Sequence, residues 1–175
     1  MTWVTNHYYD KKRSKTQNKA STLLSIIQRY PSVRYRQLQR LTGFSGGSLS
    51  YHLHQLKTQN RIKLYKPNSR IARFFPPDLD NDYDCSLMGQ LCQHTSKKII
   101  CSILNSSTGC THKEIVKKTN ISPSTISWHL KRMQTEGILF AVNEDNSNHH
   151  HKRLYKLYQS NRAWQIIHNY NKSLQ

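Results

Sequence analysis

Lys131 and Arg132 stand side by side in STISWHLKRMQTEGI, one helical turn beyond the small hydroxyls Ser122, Ser124, Thr125 and Ser127. An ammonium and a guanidinium so placed can donate to acceptor edges or neutralise phosphates, and short hydroxyls before them let a polyanion's backbone come close. A second stretch, SGGSLSYHLHQLK, offers Ser45, Gly47, Ser48, Ser50, Tyr51, His54 and Gln55 in the same order, with less charge. Other chemistries find less support. Nine acids are scattered with no catalytic pair, and no phosphate-loop lysine motif, nucleophile elbow or HExxH stretch occurs, so no enzyme is expected. The cysteines Cys85, Cys92, Cys101 and Cys110 make neither a CxxC nor a CxxxxC pair, and His149, His150 and His151 are adjacent on a polar stretch with no carboxylate or Cys partner fixed nearby. A solvated loop tip is expected there, and no metal or cofactor is assigned.

The two stretches are one pattern repeated. Residues 45–62 lie on residues 122–139 without a gap, 77 positions apart. Ser45, Ser50, His52, Leu53 and Thr58 fall on Ser122, Ser127, His129, Leu130 and Thr135. Upstream, Ser25, Ile26 and Thr42 fall on Ser102, Ile103 and Thr119, and the apolar phase holds at Leu38/Ile115, Phe44/Ile121, Leu49/Ile126 and Leu56/Met133. A shared hydrophobic phase over such a length marks an internal repeat.

Each repeat reads as three helices and a β-hairpin. In the first, STLLSIIQRY is helical up to Pro31, RYRQLQRLTG follows with Leu38 and Leu41 inward and Gly43 as its stop, and Ser45 caps a third helix whose inner face is Leu49, Leu53 and Leu56. IKLYK and RIARFF then alternate as strands about a PNS turn. In the second, KKIICSIL is helical and ended by Gly109, and Thr111 with Glu114 forms a capping box on HKEIVKKTN. Ser122 caps the third helix with Pro123 at its first position, Ile126, Leu130 and Met133 face inward, and Gly137 closes it. LFAVNE and KRLYKLY bracket the polar loop DNSNHHH. The fold class is mainly α with small β-hairpin wings (α+β), a tandem winged helix-turn-helix.

The expected organisation is a basic arm over 1–20, a winged helix over 21–76, an acidic linker with a short helix over 77–95, a second winged helix over 96–158 and a C-terminal helix over 159–175. Charge follows these boundaries. The chain carries 27 Lys+Arg against 9 Asp+Glu, a formal +18. Residues 21–75 hold ten basic and no acidic residues; residues 96–158 hold ten basic and four acidic, a net +6; Asp78, Asp80, Asp82 and Asp84 crowd the join. Fields of this sign attract nucleic acid or an anionic surface. No apolar run approaches the roughly 20 residues needed to span a bilayer, and the polar, basic N-terminus has no secretory centre, so an intracellular, cytoplasmic protein is expected.

A major groove admits a helix and displays a distinct donor and acceptor pattern for each base pair. Double-stranded DNA is therefore the expected partner, met in the first repeat by Ser45, Gly47, Ser48, Ser50, Tyr51, His54 and Gln55 and in the second by Ser122, Ser124, Thr125, Ser127, Trp128, Lys131 and Arg132. Lys63, Lys66, Arg70, Arg73, Lys152 and Arg153 would lie along the backbone or minor groove. Tyr51 and Trp128 serve either as base or sugar contacts or as a shelf for a neighbouring domain. His52 and His129, each beside an inward Leu, are expected to pack or to hydrogen-bond the second helix. Cys101 and Cys110 fall on Leu24 and Val33 and are expected as core residues. The run KKRSK at 11–15 is either a plain tail or an arm tracking phosphates. Trp164, Ile167 and Tyr170 share one face of the last helix, which packs on its own domain or forms a homodimer.

LSYHLHQL followed by RFFP, then STISWHLKRMQTEGI and RLYKLY, resembles the archaeal transcriptional regulators with two helix-turn-helix domains, and the second half is similar to ArsR-like winged helices. The resemblance covers residues 20–158 and implies promoter binding and transcriptional control. Metal-sensing ArsR-like proteins carry paired cysteines on the recognition helix; none stands there in this sequence.

Overall fold

The computed structural model describes residues 18–66, 71–145 and 151–170. The arm over residues 1–17, the first hairpin's PNS tip with Arg70, and the second's tip with His149 and His150 lie outside the described residues. The chain divides into two compact units, Met1–Asp80 and Asn81–Gln175. It is mainly helical, with a three-stranded antiparallel sheet in each unit. Among the described residues no helix is long and apolar enough to cross a membrane.

The first unit begins with α1 (residues 18–29), whose Leu23 and Ile27 are fully buried, one turn apart on one face. Then come β1 (Val33–Arg34), α2 (Tyr35–Thr42), α3 (Gly46–Thr58), β2 (Lys63–Tyr65) and β3 (Arg73–Phe75). Leu38, Leu49, Leu53, Leu56, Ile62, Val33 and Phe74 close the core over α1. Ser45 caps α3 by accepting from the Ser48 N–H, and Gly43 ends α2 in the left-handed conformation at φ 67°. Leu41, expected inside, is 55% exposed. The chain reverses at Gly43, and Phe44, just past the turn, packs on the core in its stead.

The second unit runs α4 (Asp82–Leu91), α5 (His94–Leu104), β4 (Cys110–Thr111), α6 (His112–Thr119), α7 (Pro123–Thr135), β5 (Leu139–Asp145), β6 (His151–Leu157) and α8 (Ser160–Tyr170). From α5 to β6 its order matches α1 to β3. The short strands β1 and β4 were not anticipated; each is two residues long and pairs with the hairpin's second strand, in the orders β1-β3-β2 and β4-β6-β5. Dipeptides carry too little periodicity to be read from sequence.

Three expectations change here. The short helix expected within the linker over 77–95 is α4, but it does not lie in an open join: it is buried nearly all round, through Asp84, Cys85, Ser86, Leu87, Met88, Gln90 and Leu91, and packs on α5 and α8. Gly109 does not end a helix. It lies beyond the Asn105 cap of α5, at φ 95° in the turn before β4, where a Cβ would come 2.8 Å from the Tyr155 carbonyl oxygen. On α8 the inward residues are Ala163, Ile166 and Tyr170, while Trp164 is 54% exposed. Arg162 forks onto the buried Asp84 carboxylate, Nε lying 3.1 Å from both oxygens, and this pins α8 to α4.

The backbone carries the 77-residue offset as plainly as the side chains. Among the described residues, left-handed φ values occur at Ser32 (70°), Gly43 (67°) and Asn60 (53°) in the first unit, and at Gly109 (95°), Asn120 (55°) and Gly137 (68°) in the second. Each stands 77 positions from its counterpart, with glycine on one side of every pair.

Candidate nucleic-acid interface

The outer face of α7 carries the expected groups. Ser122, Ser124, Ser127, Trp128 and Lys131 are exposed, and Thr125 and Arg132 are partly so. Ile126, Leu130 and Met133 hold the opposite face in the core. Ser122 caps the helix, accepting from the Thr125 N–H at 3.4 Å, and Pro123 fills the first position where no N–H is needed. On α3, Ser45, Gly47, Ser50, Tyr51 and His54 are exposed, with Ser48 and Gln55 partly so. Several are already engaged: Gln55 Nε2 donates to the Tyr51 hydroxyl at 2.8 Å, and Lys19 Nζ reaches the Ser48 hydroxyl at 3.3 Å.

A matching clamp fixes the start of both helices. The Tyr35 hydroxyl donates to the Gly46 carbonyl at 2.8 Å and lies 3.0 Å from Ser50 Oγ. In the other unit His112 Nε2 lies 3.2 Å from the Pro123 carbonyl and 2.9 Å from Ser127 Oγ. Tyr35 and His112 are 77 residues apart, as are Gly46 and Pro123, and Ser50 and Ser127. Neither clamp residue was anticipated, since tyrosine and histidine share no class; the offset alone could have paired them.

The two matching histidines part company below the surface. Both are buried and each ring is met edge-on by the aromatic before it, Tyr51 on His52 at 5.2 Å and Trp128 on His129 at 4.8 Å. Packing is thus as expected, but the second helix is not the partner. His129 Nδ1 lies 3.0 Å from Ser96 Oγ on α5, whereas His52 Nδ1 is buried with no partner among the described residues. Burial lowers the pKa of each below the usual imidazole value, with Lys19 adding to this at His52 and Arg132 at His129. Both are neutral near pH 7.

Arg132 is not a free arm. Its Nε donates to Glu136 Oε1 at 3.0 Å, and its guanidinium lies 5.5 Å over the Trp128 ring. Lys131 Nζ has no partner among the described residues. Two wing cations are also engaged within their own unit: Lys63 Nζ donates to the Leu79 carbonyl, and Arg73 Nη1 donates to Ser32 Oγ at 2.8 Å. Arg73 therefore braces β3 against the Ser32 turn. Lys66 is exposed, Lys152 lies 3.9 Å from Glu114, and Arg153 lies 5.7 Å over the Tyr155 ring. Glu114 completes the capping box on α6, and the Thr111 N–H it accepts holds its carboxyl below the usual range.

Among the described residues none of the four cysteines forms a disulfide. Cys110 is fully buried, as expected, while Cys101 is half-buried, with burial pushing its thiol up. Among the described residues no three His, Cys, Asp or Glu side chains gather as a metal ion would require.

Residues 93–139, from the cap of α5 to the first residue of β5, match the family model for winged helix-turn-helix DNA-binding domains. No curated protein matches the chain. Among solved structures, a conserved hypothetical protein from Chlorobium tepidum is similar at 13% identity, over 87% of this chain and 99% of that one, with a TM-score of 0.32, too low to carry fold or function across. The chain thus contains a winged helix-turn-helix DNA-binding domain, whose third helix is α7.

Proposed function

We propose that this protein is a sequence-specific, non-catalytic regulator that holds double-stranded DNA with both units and reads it chiefly through α7. The observation that carries the proposal is the outer face of α7: hydroxyls at its first turns, a Lys131 without a partner among the described residues and a braced Arg132, within a domain matched to DNA binders. No acid lies on that helix. The first unit has the same order of elements and no acid from residue 21 to 75, yet α3 offers its groove face only Tyr51, His54, Gln55 and small hydroxyls. Its cations, Arg34, Arg36, Arg40, Arg61 and Lys66 among them, lie before or after that helix, with Lys57 in its last turn, and suit phosphates. Such a protein works on chromosomal DNA in the cytoplasm. A homodimer through α8 would use its outer face with Trp164, since the inner face is occupied within the unit.

The formal charge of +18 also favours a second reading, an architectural protein indifferent to sequence. Selection from a random duplex library separates the two, because a regulator returns a motif and an architectural protein returns none. Affinity should fall with salt in either case, log K changing with log salt at a slope of roughly −5 to −7 if ~6–8 phosphates are neutralised. A slope near zero would remove nucleic acid as the ligand.

A further inference from the structure

Glu136 lies just past the end of α7, and its two carboxylate oxygens serve two masters. Oε1 accepts from Arg132 Nε at 3.0 Å, and Oε2 accepts from Gln90 Nε2 at 2.6 Å. Gln90 belongs to α4, outside residues 93–139, and is buried. Its carbonyl oxygen lies 2.8 Å from Ser96 Oγ, which in turn lies 3.0 Å from His129 Nδ1.

Hydrogen-bond polarity fixes every proton in this chain. An ionised carboxylate only accepts, so Gln90 must turn its amide NH2 to Glu136 and its carbonyl to Ser96. The single hydroxyl proton of Ser96 is then committed to that carbonyl, so Ser96 can only accept from His129. The neutral imidazole therefore carries its proton on Nδ1. With Nε held by Glu136 and one face against Trp128, the Arg132 guanidinium keeps Nη1 and Nη2 for an outside acceptor, and that fork matches a phosphate or the O6 and N7 of guanine.

We propose that Gln90 and Glu136 are positioning residues for Arg132, so that DNA recognition by α7 depends on α4, a helix outside the matched domain. The inference rests on the DNA-binding reading above. A network satisfied at every member fixes one geometry, and a fixed guanidinium loses less freedom when it meets its target.

The test is a double-mutant cycle on the full chain. Duplex affinity is measured at fixed salt for wild type, Gln90→Met, Arg132→Ala and the pair, with the His129 tautomer followed by 15N NMR. Wild type should show the Nδ1–H form, and Gln90→Met should lose that uniformity. Gln90→Met should weaken binding about 3- to 10-fold beside Arg132 and not at all once Arg132 is alanine. Glu136→Gln, at a partly exposed position, provides a milder second variant and should reproduce the loss. Equal losses in both backgrounds, or an unchanged affinity for Gln90→Met and Glu136→Gln, would overturn the proposal. Wild-type protein that binds no duplex would sink the DNA-binding reading itself, an outcome distinct from wild type and variants binding alike.

Discussion

His52 and His129 occupy the same place in their units, each pressed by the aromatic before it, and among the described residues only His129 finds a partner. The residue matching Ser96 in the first unit is Lys19, which turns outward to Ser48 and Phe44 instead. The three-helix motif therefore needs a flat, half-polar ring at this position for packing, whether or not its nitrogen is satisfied. The second unit adds what the described part of the first lacks: α4 below and α8 beside, joined by Arg162 and Asp84. The second motif is thus clothed by two added helices, and the clothing reaches Arg132 through Gln90 and Glu136.

The largest effect should come from stripping that clothing. Arg162→Ala removes the guanidinium that forks onto the buried Asp84 carboxylate, and breaking a buried pair of this kind costs about 3–5 kcal/mol. Calorimetry should show the second unit's transition falling and the first unit's unmoved. A single transition that shifts as a whole would mean the units do not melt separately.

Next in size is the proposed division of labour between α3 and α7. Lys131→Ala should flatten base preference by ~1–3 kcal/mol at one position of the selected motif, while His54→Ala with Gln55→Ala should leave the motif intact. If the α3 pair alters the motif as much as Lys131→Ala does, both helices read bases and the contrast fails.

The glycine pairs allow a finer test. Gly109→Ala should destabilise by more than about 1 kcal/mol, since φ is 95° and the Tyr155 carbonyl blocks a Cβ. Asn60→Gly, at φ 53°, should stabilise by up to about 1 kcal/mol. Denaturant midpoints check both, and equal and opposite shifts would deny the crowding at Gly109.

The smallest expected effect is on pH. Both buried histidines have folded-state pKa values below the ordinary 6.5, so the unfolded chain takes up protons first as pH falls. Stability should be full above that value and decline below it, and His52→Gln with His129→Gln should flatten the decline in melting temperature between pH 7.5 and 5. An unchanged slope in the double variant would assign the acid sensitivity elsewhere.

Much of this was legible in the chain. The caps Ser45, Thr111 with Glu114 and Ser122, the stop at Gly43 and the inward faces of α3 and α7 follow from local rules acting within one or two turns, so spacing alone reveals them. The offset of 77 residues adds a second copy of each signal. Where contact partners are distant in sequence, the signal ends. Leu41 and Trp164 have apolar spacing and lie outside, because the neighbours that would cover them are set by where Gly43 and α4 send the chain. Lys63 and Arg73 look like free wing cations and are held inside their unit, by groups 16 and 41 residues away.

The sequence by itself determined the order of elements seen in both units and the outward chemistry of each third helix, because hydrophobic phase and capping are local and periodic. Tertiary structure alone decided that the short helix of the acidic join is buried, and that Gln90 meets Glu136 across 46 residues to brace Arg132. A hydrogen bond between a buried amide and a carboxylate leaves no periodic trace; it exists only once packing has excluded water and left each group no other partner.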